Sequence, residues 1–306
     1  MSFLKKRKTP LQNIAYMAIM AAINAIFVLL TTFVPVLLFL LVFILPLTHA
    51  IVAIYCDKRF YIVYAIATIG VCLGITFYNI SDTFFYVIPS LITGFLFGLF
   101  IEKRTPPIFT IFVISIIQLV LSYSSIPLIK LMIGVDIPQV FYIAFGLNEF
   151  IYKDYLPILF TSIIAIGQIA ITYIFINTQL EKTEGDQEFL FDDYIFTIVA
   201  IGCLFILEIL FIFLYPTFIF GPFLFIILLT LYVVVKLCMT KKIWVIVFLV
   251  ISLIVVLFLT AGLYKTINEN HPFGLLTLLS FSLLVLIPTI INKCLSNHKD
   301  KCKINK

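Results

Sequence analysis

A carboxylate stands in the middle of the apolar run Cys203-Leu-Phe-Ile-Leu-Glu-Ile-Leu-Phe, at Glu208. At membrane depth such a group costs several kcal/mol unless it is protonated, paired or hydrated. Glu208 is therefore expected to be protonated or hydrogen-bonded within a helix bundle. His49, in Pro46-Leu-Thr-His, is the one histidine inside an apolar run. An intramembrane enzyme acting on lipid would need a second group beside Glu208, and His49 is all the chain offers. A structural carboxylic acid is the alternative.

A second polar set lies between the apolar runs. Asp82 follows the third of them, and Tyr123, Lys130, Asp136, Asn148, Glu149, Lys153 and Asp154 precede the sixth. Phe141, Tyr142, Tyr152 and Tyr155 are interleaved with them. Aromatic walls with a few polar groups suit a small planar ligand, and Asp82, Tyr123, Lys130, Asn148 and Glu149 are the candidate substrate-binding residues. An interfacial aromatic belt without a ligand is the other reading. Asn24, Gln118 and Gln168 are uncharged amides within apolar runs, expected to form interhelical hydrogen bonds.

The first run carries alanines at 15, 18, 21, 22 and 25. Residues i and i+4 share a helix face, so Ala18 and Ala22, or Ala21 and Ala25 in the other register, form a stripe of small side chains. Such a stripe lets helix backbones approach closely in lipid, either inside the bundle or against another membrane protein. Gly70-xxx-Gly74 and Gly94-xxx-Gly98 are expected to serve packing within the bundle.

Other chemistry is missing from the sequence. It has no Walker A loop, no HExxH and no GxSxG. Its six cysteines show no CxxC. No cofactor, metal site or catalytic residue is expected, and the chain is not expected to be an enzyme.

These residues are embedded in a chain that is 63% hydrophobic, 16% aromatic and 11% charged over 306 residues, with a mean hydropathy of +1.21. A soluble domain is about 25% charged, so a soluble enzyme and a disordered chain are both excluded. Ten apolar segments are marked off by charge and turn signals. They are Leu11 to Thr31, Val34 to Tyr55, Phe60 to Tyr78, Phe84 to Ile101, Ile108 to Tyr123, Leu156 to Ile176, Tyr194 to Tyr215, Phe218 to Leu237, Ile243 to Leu263 and Phe273 to Ile291. Backbone groups in lipid must be satisfied within the segment, so these are helices. The expected fold is an all-α polytopic bundle of about ten transmembrane helices with both termini cytoplasmic.

Orientation follows from the basic residues. With ten crossings, 17 of the 20 Lys and Arg fall inside and only Lys130, Lys153 and Lys265 outside. The net charge of +5 thus reports orientation and gives no reason to expect nucleic acid as a partner. Lys5-Lys6-Arg7-Lys8 before an apolar run is similar to a signal peptide, but no small-x-small cleavage site follows, and the run is read as a retained helix. Residues 124–155 are expected to form an outer re-entrant or interfacial segment. There Pro127, Gly134, Pro138 and Gly146 fit a broken helix better than a continuous one. The chain divides into a six-helix part, 1–176, an acidic cytoplasmic linker, 177–193, and a four-helix part, 194–306, with a basic tail.

A basic N-terminus, the run Ile14-Ala-Tyr-Met-Ala-Ile-Met-Ala-Ala-Ile-Asn-Ala, a proline-bearing second helix and six spans in all resemble the substrate-binding (S) components of energy-coupling-factor vitamin transporters. In that family an AxxxA motif on the first helix docks to the transmembrane coupling protein, and Ala18 and Ala22 match it, with Ala21 and Ala25 as the other register. The resemblance implies a multi-pass protein of the cell membrane that binds a vitamin-like micronutrient for uptake, energised by partner ATPases. The whole chain, with Phe43-Ile-Leu-Pro-Leu in its second helix, looks like the YybS-like polytopic membrane proteins, which join an S-component-like part to further C-terminal helices. That likeness carries over no site residues. A non-transporting membrane scaffold, and the lipid-modifying enzyme already named, are the alternative functions.

Overall fold

The computed structural model describes residues 6–34, 37–77, 80, 83–144, 146, 153–184, 190, 193–215, 218–239, 243–264, 280 and 282–291. Most of those residues are helical, and no strand occurs among them. The helices are α1 (Pro10–Phe33), α2 (Leu38–Tyr55), α3 (Tyr61–Ile75), α4 (Ile88–Glu102), α5 (Pro107–Ile133), α6 (Ile137–Ala144), α7 (Leu156–Glu184), α8 (Asp193–Leu214), α9 (Phe220–Met239) and α10 (Ile243–Tyr264). A shorter apolar helix, α11 (Ser282–Ile291), follows. Among the described residues, seven stretches are long and apolar enough to cross a membrane. Shorter apolar helices at Leu40–Tyr55, Ile243–Phe258 and Ser282–Ile291 fall on the remaining three apolar segments. The expected all-helical polytopic bundle is what the chain forms.

The helices group into two compact units, Met1–Lys153 with Phe160–Phe191, and Asp154–Leu159 with Asp192–Lys306. In the N-terminal unit, α1 starts on Thr9, whose hydroxyl accepts from the Gln12 amide at 3.3 Å, with Pro10 in the first turn. Both choices satisfy or remove backbone donors that a helix start leaves orphaned. Asn13 accepts from the Asp57 amide at 2.8 Å, tying the start of α1 to the turn before α3. Inward residues of α1 recur every three or four positions (Asn13, Tyr16, Met20, Asn24, Val28), the repeat of one helical face. Of these, Tyr16, Met20 and Val28 meet Leu41, Leu45, Tyr61, Tyr64 and Leu91 from α2, α3 and α4 in one apolar core. Ala50, Phe97, Ile114 and Ile169 form a second core from α2, α4, α5 and α7.

Helices α2 and α4 pack backbone close to backbone. A methyl group on Gly94 would stand 2.4 Å from the His49 Cβ and 2.8 Å from its carbonyl carbon, and one on Gly98 2.5 Å from the Ala53 Cβ. Only glycine fits there, as the packing motif requires. Gly70 and Gly74 correct the same expectation for α3, since a methyl group on either would meet nothing within 4 Å. The inward face of α3 is Tyr61, Tyr64, Thr68 and Cys72, and at about 100° per residue the two glycines fall on its outer side.

The segment after α5 also needs a correction. The expected break at Pro127 is absent, because α5 runs unbroken from Pro107 through Pro127 to Ile133. Helices of membrane proteins accommodate an internal proline where neighbouring groups re-satisfy the freed backbone, and Pro46 lies inside α2 in the same way. The helix stops at Gly134, whose φ of 77° is the left-handed conformation glycine adopts without strain. The short α6 then follows. At its other end the apolar segment before the linker extends further than expected, with α7 helical to Glu184. Its last turns include Gln179, Leu180, Glu181, Lys182 and Glu184, all residue types that favour a helix.

In the C-terminal unit, Asp193 at the start of α8 accepts from Tyr232 and pairs with Lys236 of α9. The Lys236 ammonium lies 4.1 Å from the centre of the Tyr194 ring. The core of this unit is Val233, Leu237, Val245, Leu249 and Val285, from α9, α10 and α11.

Candidate functional site

Three elements of the N-terminal unit bring polar side chains to one point. Asn24 of α1, Thr48 and His49 of α2, and Tyr64 of α3 are all buried, Asn24 and His49 at 0% exposure. The Thr48 hydroxyl donates to Asn24 Oδ1 at 2.6 Å. Asn24 Nδ2 donates to the Tyr64 hydroxyl at 3.0 Å, and that hydroxyl lies 2.7 Å from His49 Nδ1. Since Tyr64 already accepts from Asn24, its own hydrogen is free for Nδ1. In the tautomer whose Nδ1 accepts it, the neutral imidazole carries its hydrogen on Nε2. His49 Nε2 is buried and has no hydrogen-bond partner. Tyr61, edge-on to Tyr64 at 5.5 Å, extends the cluster to α4 by donating to the Leu91 carbonyl at 2.7 Å.

Gly94 determines where His49 sits. Without a side chain on α4 the α2 backbone comes close, and His49 turns toward α1 and α3 instead of filling that gap. The expected interhelical role of Asn24 is met here, whereas Gln118 bonds Ser122 of its own helix at 3.1 Å. Thr48 and Tyr64 were not identifiable as members from the sequence. A tyrosine in a chain with 15 of them carries no mark of which one finds a buried partner.

The alanines of α1 divide between two faces. Ala21 and Ala25 are buried, at 9% and 5% exposure, while Ala18 and Ala22, on the adjoining stripe of the helix, are exposed. Asp82, Asn148 and Glu149 lie outside the described residues. Tyr123 is half-buried on α5. Lys130, in the last turn of α5, is exposed and bonds Asp136 at 2.6 Å. The Lys130 ammonium, with the Gln139 amide at 3.3 Å, holds the Asp136 carboxyl below the usual carboxylate range. Of the five candidate substrate residues the structure describes Tyr123 and Lys130, and it gives no contact between them.

Glu208, on α8 of the C-terminal unit, is 0% exposed, and neither carboxyl oxygen has a hydrogen-bond partner. His49 directs its bonds to Asn24 and Tyr64. No group of three or more residues able to hold a metal occurs among the described residues.

Residues 22–147 match the profile of a family described as a predicted membrane protein (DUF2232). The match runs from within α1 to just beyond α6 and contains Asn24, Thr48, His49, Tyr64 and Gly94, while Ala18 and Glu208 lie outside it. No curated protein matches the chain. No solved structure matches it either. Helix length, apolarity and this family likeness together make the chain a multi-pass helical membrane protein in contact with the lipid bilayer.

Proposed function

We propose that the chain is the substrate-binding membrane component of a micronutrient uptake system, docked through α1 to a coupling membrane protein and energised by partner ATPases. The observation that carries this reading is the division of the α1 alanines. Ala21 and Ala25 face the core of their own unit, so the outward pair Ala18 and Ala22 is available to another helix. Small outward side chains give a partner backbone the close approach on which association in lipid depends. In this reading the protein lies in the cell membrane with both termini cytoplasmic, and a vitamin-like molecule binds along the outer part of α5, which carries Tyr123 and Lys130.

The test is the double variant Ala18→Leu/Ala22→Leu beside Ala21→Leu. The outward pair should keep thermal stability while losing a co-purifying ATPase and tracer uptake. Ala21→Leu should lose stability by itself. Undiminished ATPase co-purification by the outward double variant would remove the docking face. Failure of every vitamin in a binding panel would remove the substrate class. A non-transporting scaffold is the second reading, favoured by the engagement of Lys130 with Asp136. It predicts co-purifying partners other than ATPases.

A further inference from the structure

Glu208 has no part in the uptake reading, and among the described residues of the C-terminal unit no counter-charge bonds it. One turn away on either side of it are Leu204 and Ile212, both buried. The nearest charged cluster on the same helix is Asp193 with Tyr232 and Lys236, about 22 Å along the axis at 1.5 Å per residue. That cluster is closed on itself, and Lys236 also covers the Tyr194 ring. On α8 and α9 the remaining titratable groups are the exposed Cys203 and Cys238, and the exposed Tyr215 follows α8 directly. Tyr155 lies before α7 with its ring against Phe220 at 5.7 Å. Helices α10 and α11 contain no charged residue. An ionised carboxylate here would be buried, unpaired and without a hydrogen bond, the costliest state for a charge in a membrane protein. A proton on the carboxyl removes the charge without needing any neighbour.

We propose that Glu208 is a proton-binding site of the C-terminal unit. In the described packing the carboxyl is the neutral acid. It gives up its proton only to water that reaches it: the O–H bond breaks, the proton passes to that water, and a hydrated carboxylate remains. Ionisation and water entry are therefore linked, and raising the pH favours whatever arrangement of the unit admits water. The site is independent of α1 docking and stands or falls separately from the uptake reading.

Infrared difference spectroscopy of the full chain in lipid tests it. At neutral pH, wild type should show a protonated-acid carbonyl band that is lost in Glu208→Gln and fades as the pH is raised. Should Glu208→Gln fail to fold, N,N′-dicyclohexylcarbodiimide on the wild-type chain gives the same information. The acid O–H adds across a C=N bond of the reagent and the acyl group shifts to nitrogen, so the peptide gains one whole reagent. Peptide mass spectrometry should find that adduct on Glu208 and not on Asp193, with its yield falling at alkaline pH. Absence of both the band and the adduct at neutral pH overturns the proposal. Protection by sodium at constant pH also overturns it, because the site would then be a cation site.

Discussion

Asn24, Thr48, His49 and Tyr64 share their hydrogen bonds across three helices of the N-terminal unit, whereas Glu208 in the C-terminal unit has none. Both groups of side chains are buried. The difference lies in what surrounds them. At the N-terminal cluster, Gly94 and Gly98 let α2 and α4 approach until backbone nearly meets backbone, and polar tips from neighbouring helices come within bonding distance. Around Glu208 the inward neighbours on its own helix are Leu204 and Ile212, which offer no donor. In lipid a polar group is either paired or neutral. Pairing requires close approach, and close approach requires small residues on the facing helix.

Gly94→Ala tests that account most severely. The added methyl would collide with the His49 backbone, so thermal unfolding in detergent should show a loss of about 1–3 kcal/mol. Unchanged stability would mean that α2 and α4 are not so close, and the contrast between the units would collapse. Tyr64→Phe should come next. It removes the hydroxyl that bonds both Asn24 and His49 and should cost about 1–2 kcal/mol, somewhat more than an average membrane hydrogen bond because two partners are stranded. A double-mutant cycle with Asn24→Ala should show coupling, and independent effects would mean the cluster does not act as one.

Gly70→Ala should move the other way. Its methyl meets nothing, and replacing glycine within a helix by alanine should raise stability by about 0.5–1 kcal/mol. A loss of stability in lipid would reveal another surface against the outer face of α3. Glu208→Gln should have the smallest effect, below about 0.6 kcal/mol at neutral pH, because no hydrogen bond is lost and the amide is as neutral as the acid it replaces. A large loss would show that Glu208 is ionised and paired, and that the two units treat buried polar groups alike.

Composition and hydropathy determined the helical membrane class, the positions of the apolar segments and the separation of the short α6 stretch from them. The charge signals between runs mark where helices end, because a charged loop cannot stay in hydrocarbon. A proline is a weaker mark, and α5 continues through Pro127 because a helix in a bundle can re-satisfy what the proline frees. Asn24, His49 and Glu208 stood out in the sequence because polar residues are rare at that depth. Their partners did not, since Thr48 and Tyr64 are ordinary residues until three helices meet. The tertiary structure alone decided which alanines of α1 face outward, which of two identical glycine spacings carries a helix contact, and which buried polar groups find partners. A bundle's interior and the surrounding lipid are equally apolar, so an inward face and an outward face read the same along the chain, and only packing tells them apart.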